Sequence, residues 1–331
     1  MKFDVYGVGN ALVDKEFEVE EGFFAEHAIE KGLMTLVSEE QQQQLLNVLV
    51  EKYGIKTRSG GGSAANTLYA LSQFGGKAYL ACKVANDDTG DFYLSALGDH
   101  NIDTNTASQR EVGISGQCIV MISPDAERTM HTFLGVSETV SKDEIDFEAV
   151  RQSEYVYIEG YLVTSPSAKA AVIELKRFAE QNNIKTAMTF SDPAMLEYFR
   201  DNVVEVLGSG VDLLFCNEKE AKLWAQTDDF DAACELIKTK AKQFAITRGA
   251  DGALLYDGEN YIEISAHAVK AVDTNGAGDM FAGAFMYALT QGKDFETAGK
   301  LASLASATVV SNFGPRLVEE EHAKIAAEVL S

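Results

Sequence analysis

No apolar run in this sequence approaches the roughly 20 residues needed to cross a bilayer; runs such as Ala253-Leu254-Leu255-Tyr256 are far too short. The opening Met1-Lys2-Phe3-Asp4 carries an acid where a secretory leader would be apolar, so a cytoplasmic location is expected. Basic residues are scarce, 28 Lys and Arg against 51 Asp and Glu for a net charge of −23. Repulsion from phosphate backbones and anionic lipid therefore makes nucleic acid and membranes unsuitable partners. A nucleotide handled by such a chain must meet locally gathered positive potential, from a few Arg or Lys, backbone N–H groups or metal ions. No C-x-x-C pair occurs: Cys82, Cys118, Cys216 and Cys234 lie far apart, mostly in apolar surroundings, and read as buried thiols. His27, His100, His131, His267 and His322 lack the spacing of a zinc site. The patterns G-x-x-x-x-G-K-[ST], H-E-x-x-H, G-x-S-x-G and H-R-D are also missing, which removes support for P-loop enzymes, zinc proteases, nucleophile-elbow hydrolases and protein kinases.

What is present is enough for a large core: 331 residues, 46% hydrophobic, as one sizeable domain or one domain with an appendage. No Pro-, Ser- or Gly-rich linker and no fixed-period repeat divides the chain. β-branched runs at 3–8, 77–84, 117–122, 155–159, 185–189, 213–217, 244–247 and 252–256 predict strands. Helical patterns at 63–74, 91–99, 167–182, 217–227, 231–242, 278–291 and 295–313 fall between them. This alternation predicts an α/β fold with a mainly parallel sheet covered by helices. Segments 14–36 and 108–135 interrupt the rhythm with charged, alternating residues such as Glu16-Phe17-Glu18-Val19-Glu20, read as a small β-rich excursion that is either a lid or a set of surface hairpins. Ligands of open parallel sheets bind beyond the carboxyl ends of the strands, which directs attention to the residues there.

Five constellations sit at such ends. In Asp273-Thr274-Asn275-Gly276-Ala277-Gly278-Asp279, a β-branched run meets a glycine-rich turn and then a helix. The N–H groups of Gly276, Ala277 and Gly278 would be free at the helix N-terminus, where anions bind, and the dipole there would keep Asp279 ionised and able to take a hydroxyl proton. The other reading is an ordinary turn with Asp279 as a cap. Gly60-Gly61-Gly62-Ser63-Ala64-Ala65-Asn66 loosely fits G-x-G-x-x-A, with Asp87 at the distance of a ribose-binding acid. The polar Lys56-Thr57-Arg58-Ser59 ahead of it is a poor leading strand, so a substrate contact by Asn66 with Gly61 and Gly62 as hinge fits as well. Asn10 and Asp14 follow the first strand and could bind paired hydroxyls, or form a polar strand end. Ile246-Thr247-Arg248-Gly249-Ala250-Asp251-Gly252 could admit phosphates or be a tight hairpin. Asn217 and Glu220 lie one turn apart and could hold a hydrated magnesium ion, or form a capping box.

Taken in order, Gly61, Gly62 and Asn66, then Asn217 and Glu220, then Thr247, Gly249 and Gly252, then Asp273 to Asp279, these motifs resemble the ribokinase, or phosphofructokinase-B, family of carbohydrate and nucleoside kinases over essentially the whole chain. Within it the likeness is greatest to the adenosine-kinase branch, through Gly9-Asn10, Asp14, Gly62-Ser63, Asn275 and Glu127-Arg128-Thr129-Met130 leading to Leu134-Gly135. The resemblance implies a ribokinase-like three-layer core with a small β-sheet lid over 14–36 and 108–135. It implies transfer of the ATP γ-phosphate to the 5′-hydroxyl of a nucleoside, adenosine foremost, with Asp279 as base and the N–H groups of Gly276, Ala277 and Gly278 stabilising charge, helped by Arg128. Asp14 and Asn66 would bind ribose, supported by Asn10, Gly62 and Ser63. Thr247, Gly249, Gly252, Asn275, Gly276 and Gly278 would cradle ATP. Asn217 and Glu220 would organise Mg2+ through water, and K+ is a further expected ion. Met34, Leu36, Met130, Leu134 and Tyr161 match the base-holding positions, a less aromatic wall than animal adenosine kinases use. The alternatives are a sugar kinase of the same family acting on ribose or fructose, an NAD-dependent oxidoreductase resting on 60–65 and Asp87, and a non-catalytic nucleoside sensor. The expected partner is a small-molecule nucleoside or sugar, and the chain is expected to be a monomer or homodimer.

Overall fold

The computed structural model describes residues 2–105 and 110–330. β1 (Phe3–Val8) opens a large sheet and β2 (Leu12–Glu18) leaves it for a small one, where β3 (Met34–Leu36) and β4 (Thr57–Gly61) follow. β5 (Ala78–Ala81) and β6 (Ile102–Thr104) return to the large sheet, and β7 (Gly116–Ile122) and β8 (Arg128–Phe133) complete the small one. The rest of the large sheet is β9 (Ser153–Ile158), β10 (Lys185–Thr189), β11 (Val211–Asn217), β12 (Ala241–Thr247), β13 (Ala253–Tyr256) and β14 (Tyr261–Ile264). Its order is β14-β13-β12-β11-β10-β9-β1-β5-β6, parallel from β12 to β6 and antiparallel only at the β13–β14 edge.

Strands such as Tyr155-Val156-Tyr157-Ile158 are apolar on both faces because helices cover both. On one side Val172, Leu175, Met195, Val203, Trp224 and Ile237 pack against the sheet; on the other, Leu68, Leu71, Phe281, Phe285 and Leu301 do. The result is three layers. One crossing on the second side matters for the site: Gly283, in the helix Ala277–Thr290, meets the helix Ser63–Gln73 so closely that a Cβ would lie 2.3 Å from the Thr67 carbonyl oxygen. One turn before that crossing, each helix begins, and the two N-termini lie side by side.

The small sheet runs β3-β8-β7-β2-β4. Its outer residues Phe17, Ile119 and Met121 pack under Phe23, Phe24 and Leu49 of the helices Glu21–Glu26 and Glu39–Lys52. Alternation then sends Leu12, Asp14, Glu16, Cys118, Arg128, Met130 and Thr132 to the inner side, toward the large sheet.

Several expectations need correction. The polar Thr57–Gly61 is a strand after all, paired antiparallel with β2, so the small sheet extends beyond the two segments assigned to it. Of those segments, Ser108 and Gln109 lie outside the described residues. The helix Glu39–Lys52 falls where none was placed, and the pattern at 231–242 is a helix only over Phe230–Ile237, since β12 begins at Ala241. The four cysteines are free and buried, and no group of three or more His, Cys, Asp or Glu suited to a metal occurs among the described residues. No helix among the described residues is long and apolar enough to cross a membrane.

Candidate active site

A cleft of about 800 Å³ runs between the inner face of the small sheet and the carboxyl ends of β1, β9, β10, β11 and β12. Asn10, Asp14, Gly62, Ser63, Asn66, Met34, Leu36, Arg128, Met130, Leu134 and Tyr161 line one part of it. Asn217, Glu220, Thr247, Gly249, Gly252 and Asn275 to Asp279 line the rest, so these candidates share one cleft, while Gly61, Asp87 and Asp273 do not line it.

Asp279 lies where the two helix N-termini meet. Its Oδ1 accepts from Ser63 Oγ at 2.6 Å and its Oδ2 from Asn66 Nδ2 at 3.3 Å. Burial raises its pKa, against the pull of those two hydrogen bonds and of Arg128 and Arg316. Beside the helix dipole invoked from the sequence, desolvation is the largest influence on this carboxyl, and the Ser63 and Asn66 donors and the two cations oppose it.

Ahead of Asp279 the loop turns at Gly276, whose φ of 74° is left-handed and whose Cβ would strike Pro315 at 2.5 Å. The N–H of Ala277 is spent on the Thr274 carbonyl at 3.3 Å, contrary to expectation, while those of Gly276 and Gly278 have no protein acceptor among the described residues. A Cβ on Gly278 would meet nothing within 4 Å, so neither packing nor a left-handed turn requires glycine there. The open space above it is the cleft. Asn275 lines the cleft, and its Nδ2 donates one of its two hydrogens to Glu16 Oε1 at 2.8 Å.

At the other end, Asn10 donates from its backbone N and from Nδ2 to Glu159 Oε1, at 2.7 and 2.9 Å, and Ala64 N donates to Glu159 Oε2 at 2.9 Å. Burial pushes the Glu159 carboxyl up to about 7. Gly9 leaves it room, since a Cβ there would lie 2.4 Å from Oε2. Gly61 does the same for Asp14, whose carboxylate would sit 2.2 Å from an added Cβ, and Gly62 (φ 92°) passes under the Asn10 carbonyl. These glycines make room rather than hinge. Asp14 is buried, and burial together with Glu16, Asp279 and Asp273 raises its pKa while Arg316 lowers it. Met34 and Met130 are register partners in β3 and β8, Leu36 stands at the mouth 39% exposed, and the Tyr161 hydroxyl lies 3.5 Å from Asp192 Oδ2. Arg128 reaches from β8 to 3.7 Å from the buried Asp192.

Asn217 and Thr247 are register neighbours at the ends of β11 and β12. Asn217 and Glu220 form the capping box: Glu220 takes the Asn217 N–H and Nδ2 at 3.0 and 2.8 Å, and Asn217 Oδ1 takes the Glu220 N–H at 2.8 Å. Both carboxylate oxygens are thus occupied, and burial raises the Glu220 carboxyl to about 8. Gly252 is needed by the backbone (φ 86°, with a Cβ 2.0 Å from the Ile264 carbonyl oxygen), and Gly249 is left-handed as well (φ 57°) although a Cβ there would meet no atom. The dinucleotide alternative fails on geometry. β4 is an antiparallel edge strand and not the start of a βαβ unit, and Asp87 is occupied by Gly90 N, Ser115 N and Ser115 Oγ at 2.8, 2.8 and 2.6 Å.

Sequence reasoning missed four charged groups that hold these parts: Glu16, Glu159, Asp192 and Arg316. Glu159 and Asp192 each follow a parallel strand closely, a position that could have flagged them; Arg316 carries no local signal.

A glycine-rich loop at a helix N-terminus, with a buried carboxylate beside it and a cleft roofed by a second sheet, is an arrangement suited to the phosphotransferases with an alcohol acceptor. The chain belongs to the pfkB family of carbohydrate kinases, whose model matches residues 36–322. It superimposes on the crystal structure of adenosine kinase from Sinorhizobium meliloti with a TM-score of 0.92 at 32% identity, covering 99% of both chains. A probable sugar kinase from Rhizobium etli matches equally, TM-score 0.92 and 32% identity over 98% of this chain and 99% of that one. Adenosine kinase of Saccharomyces cerevisiae is 25% identical over 95% of this chain and 96% of its own. A putative ribokinase II from E. coli, solved in complex with ATP and Mg2+, shares the fold with a TM-score of 0.80 at 18% identity, over 98% and 99% of the two chains. The fold is ribokinase-like, and the chain is a nucleoside or sugar kinase; kinases of this kind use ATP, with Mg2+ the usual metal.

Proposed function

We propose that the chain transfers the γ-phosphate of ATP to the 5′-hydroxyl of a nucleoside, adenosine foremost, with Asp279 as general base. The observation that carries this reading is the placement of a buried carboxylate beside the N–H groups of Gly276 and Gly278, at the meeting point of two cleft ends. Asp14 and Asn66 bind the ribose hydroxyls, and Asn10 and Ser63 hold the surrounding loop and the base. The 5′-hydroxyl then faces Asp279, which takes its proton as the oxygen attacks phosphorus. Negative charge on the transferred group meets the Gly276 and Gly278 N–H groups and Arg128, donors fixed before reaction begins. ATP lies along Thr247, Gly249 and Gly252, and the small sheet acts as a lid that excludes water.

Magnesium neutralises phosphate charge when bound. Asn217 and Glu220 suit an ion held through its water shell, because direct ligation would break their capping box. Adenosine is preferred to a free sugar because Met34, Met130, Leu134, Cys118 and Leu12 line the cleft along with Asp14, apolar side chains that suit a purine and offer a bare sugar no hydrogen bond.

The test is ADP release with ATP and Mg2+ across adenosine, inosine, guanosine, cytidine, ribose and fructose. Adenosine should give the highest kcat/KM. A preference for ribose or fructose sinks the nucleoside assignment and leaves the sugar-kinase reading.

A further inference from the structure

The segment between the helices Phe295–Val310 and Glu319–Leu330 is clamped onto the anion loop: Gly314 N donates to Asp273 Oδ2 at 2.8 Å, and Pro315 packs over Gly276. The next residue, Arg316, turns its guanidinium inward over the Tyr69 ring, 4.6 Å from its centroid. Its Nε donates to Asn66 Oδ1 at 3.0 Å. An amide has one acceptor end and one donor end. Fixing the oxygen of Asn66 against Arg316 therefore fixes its Nδ2 toward Asp279.

The charge of Arg316 is left unspent. No carboxylate lies within ion-pairing distance of it among the described residues, and its Nη2 is buried without a hydrogen-bond partner. A buried guanidinium in that condition exerts its field on whatever acids are near. Those acids are Asp14 and Asp279, both raised by burial and both lowered by Arg316. The other groups whose charge acts with Asp279 are Arg128 from β8, Asp14 from β2, Tyr157 and Glu159 at the end of β9, and Tyr161 in the turn after it. Only Arg128 among them is a cation, and it faces Asp192.

We propose that Arg316 is a positioning residue for the catalytic end of the cleft: it orients Asn66, whose Nδ2 meets Asp279, and it places a buried positive charge one hydrogen-bonded residue away from that carboxylate. It touches neither reacting atom; it acts through Asn66 by a hydrogen bond and on Asp279 through space. The proposal rests on the kinase reading only for its kinetic readout.

The experiment measures kcat for adenosine phosphorylation against pH in the wild type, Arg316→Met and Arg316→Lys, with the Asp279 carboxyl followed by 13C NMR and assigned through Asp279→Asn. In Arg316→Met the acid limb and the Asp279 titration should both move up by about one pH unit, and the KM for adenosine should rise. Arg316→Lys keeps the charge and loses the Nε donor, so the limb should stay in place while KM rises. An Asp279 titration unmoved in Arg316→Met overturns the proposal, and so does a Lys variant whose limb shifts as far as that of the Met variant. Should Arg316→Met fail to fold by circular dichroism, the Lys variant decides: an unchanged KM overturns the orienting role, and a shifted limb overturns the charge role. A wild type that releases no ADP with any acceptor sinks the kinase reading, while the NMR titration still scores Arg316.

Discussion

Replacing Asp279 by asparagine separates two roles that the same carboxylate plays. In Asp279→Asn the amide keeps the shape and one acceptor, which can still receive Ser63 Oγ at the 2.6 Å position, so the helix junction should stay assembled. What is lost is the ability to take a proton. Removing a general base typically costs about a hundredfold or more, which is about 2.7 kcal/mol of transition-state stabilisation. Stability should move the opposite way. Asp279 has its folded pKa raised by burial, so its favourable contribution is complete below the unfolded pKa and is lost as pH rises through the folded value. Above the unfolded value the raised pKa costs folding free energy, and the neutral amide removes that cost. The assay is steady-state ADP release at saturating ATP and adenosine, paired with a thermal melt at pH 7.5. Turnover should fall at least a hundredfold, with a melting midpoint equal to or above that of the wild type. Turnover within tenfold of wild type would falsify the base assignment. A lower midpoint with lost turnover would mean that Asp279 mainly holds the junction.

Gly278→Ala should fold at least as well as the wild type, because its Cβ meets no protein atom and alanine favours a helix over glycine by up to about 1 kcal/mol. Its methyl group should nonetheless obstruct the phosphate and raise the KM for ATP or lower kcat; wild-type kinetics in a stable variant would remove the anion role of that loop. Glu16 and Glu159 are both raised from 4.5 to about 7, so the stability they contribute is complete below about pH 4.5 and is lost through pH 7, on the order of 3 kcal/mol each. The melting midpoint should therefore drop between pH 5 and pH 8, less steeply in Glu16→Gln, and a flat midpoint over that range would contradict the burial argument for both.

The interior of the large sheet was readable because its strands are apolar on both faces and its helices are amphipathic, so hydrophobicity and periodicity mark both; its two outermost strands β6 and β14, short and partly exposed, were not placed. The small sheet was readable only in part, from the strand at 117–122 and the two β-rich segments around it. Its edge strand Thr57–Gly61 holds Thr57, Arg58 and Ser59, and it is a strand because β2 pairs with it and not because of its own preference. The helix Glu39–Lys52 escaped for a related reason: it is Glu- and Gln-rich and buries only Gln42 and Leu49, although its Ser38–Gln41 capping box was visible. At the site, residues in the glycine-rich turns were legible because glycine there marks backbone that must turn or leave space. The meaning of Gly61 was not, since it depends on the Asp14 carboxylate brought opposite by strand pairing.

The residues that escaped share one property, that their chemistry is a response to other residues. Asp14, Glu16, Asp273 and Asp279 all approach one end of the cleft, and burial raises every one of them. A chain already carrying a net charge of −23 cannot dilute that concentration with general surface charge. It compensates locally: Asn275 and Thr57 donate to Glu16, the Asn275 and Gly314 N–H groups to Asp273, Ser63 and Asn66 to Asp279, and Arg316 offsets Asp14 and Asp279 through space. One of these links, Asn275 to Glu16, crosses from the loop ahead of Asp279 to the small sheet, and a further bond, from the Thr274 hydroxyl to the Ala126 carbonyl at 2.9 Å, ties that loop to the β7–β8 turn. The Asp14 end and the Gly276–Gly278 end of the cleft are therefore not independent pockets. Glu16 lies two residues from Asp14 on the inner face of β2, so under the proposed function a displacement of that strand would be felt by the loop ahead of Asp279.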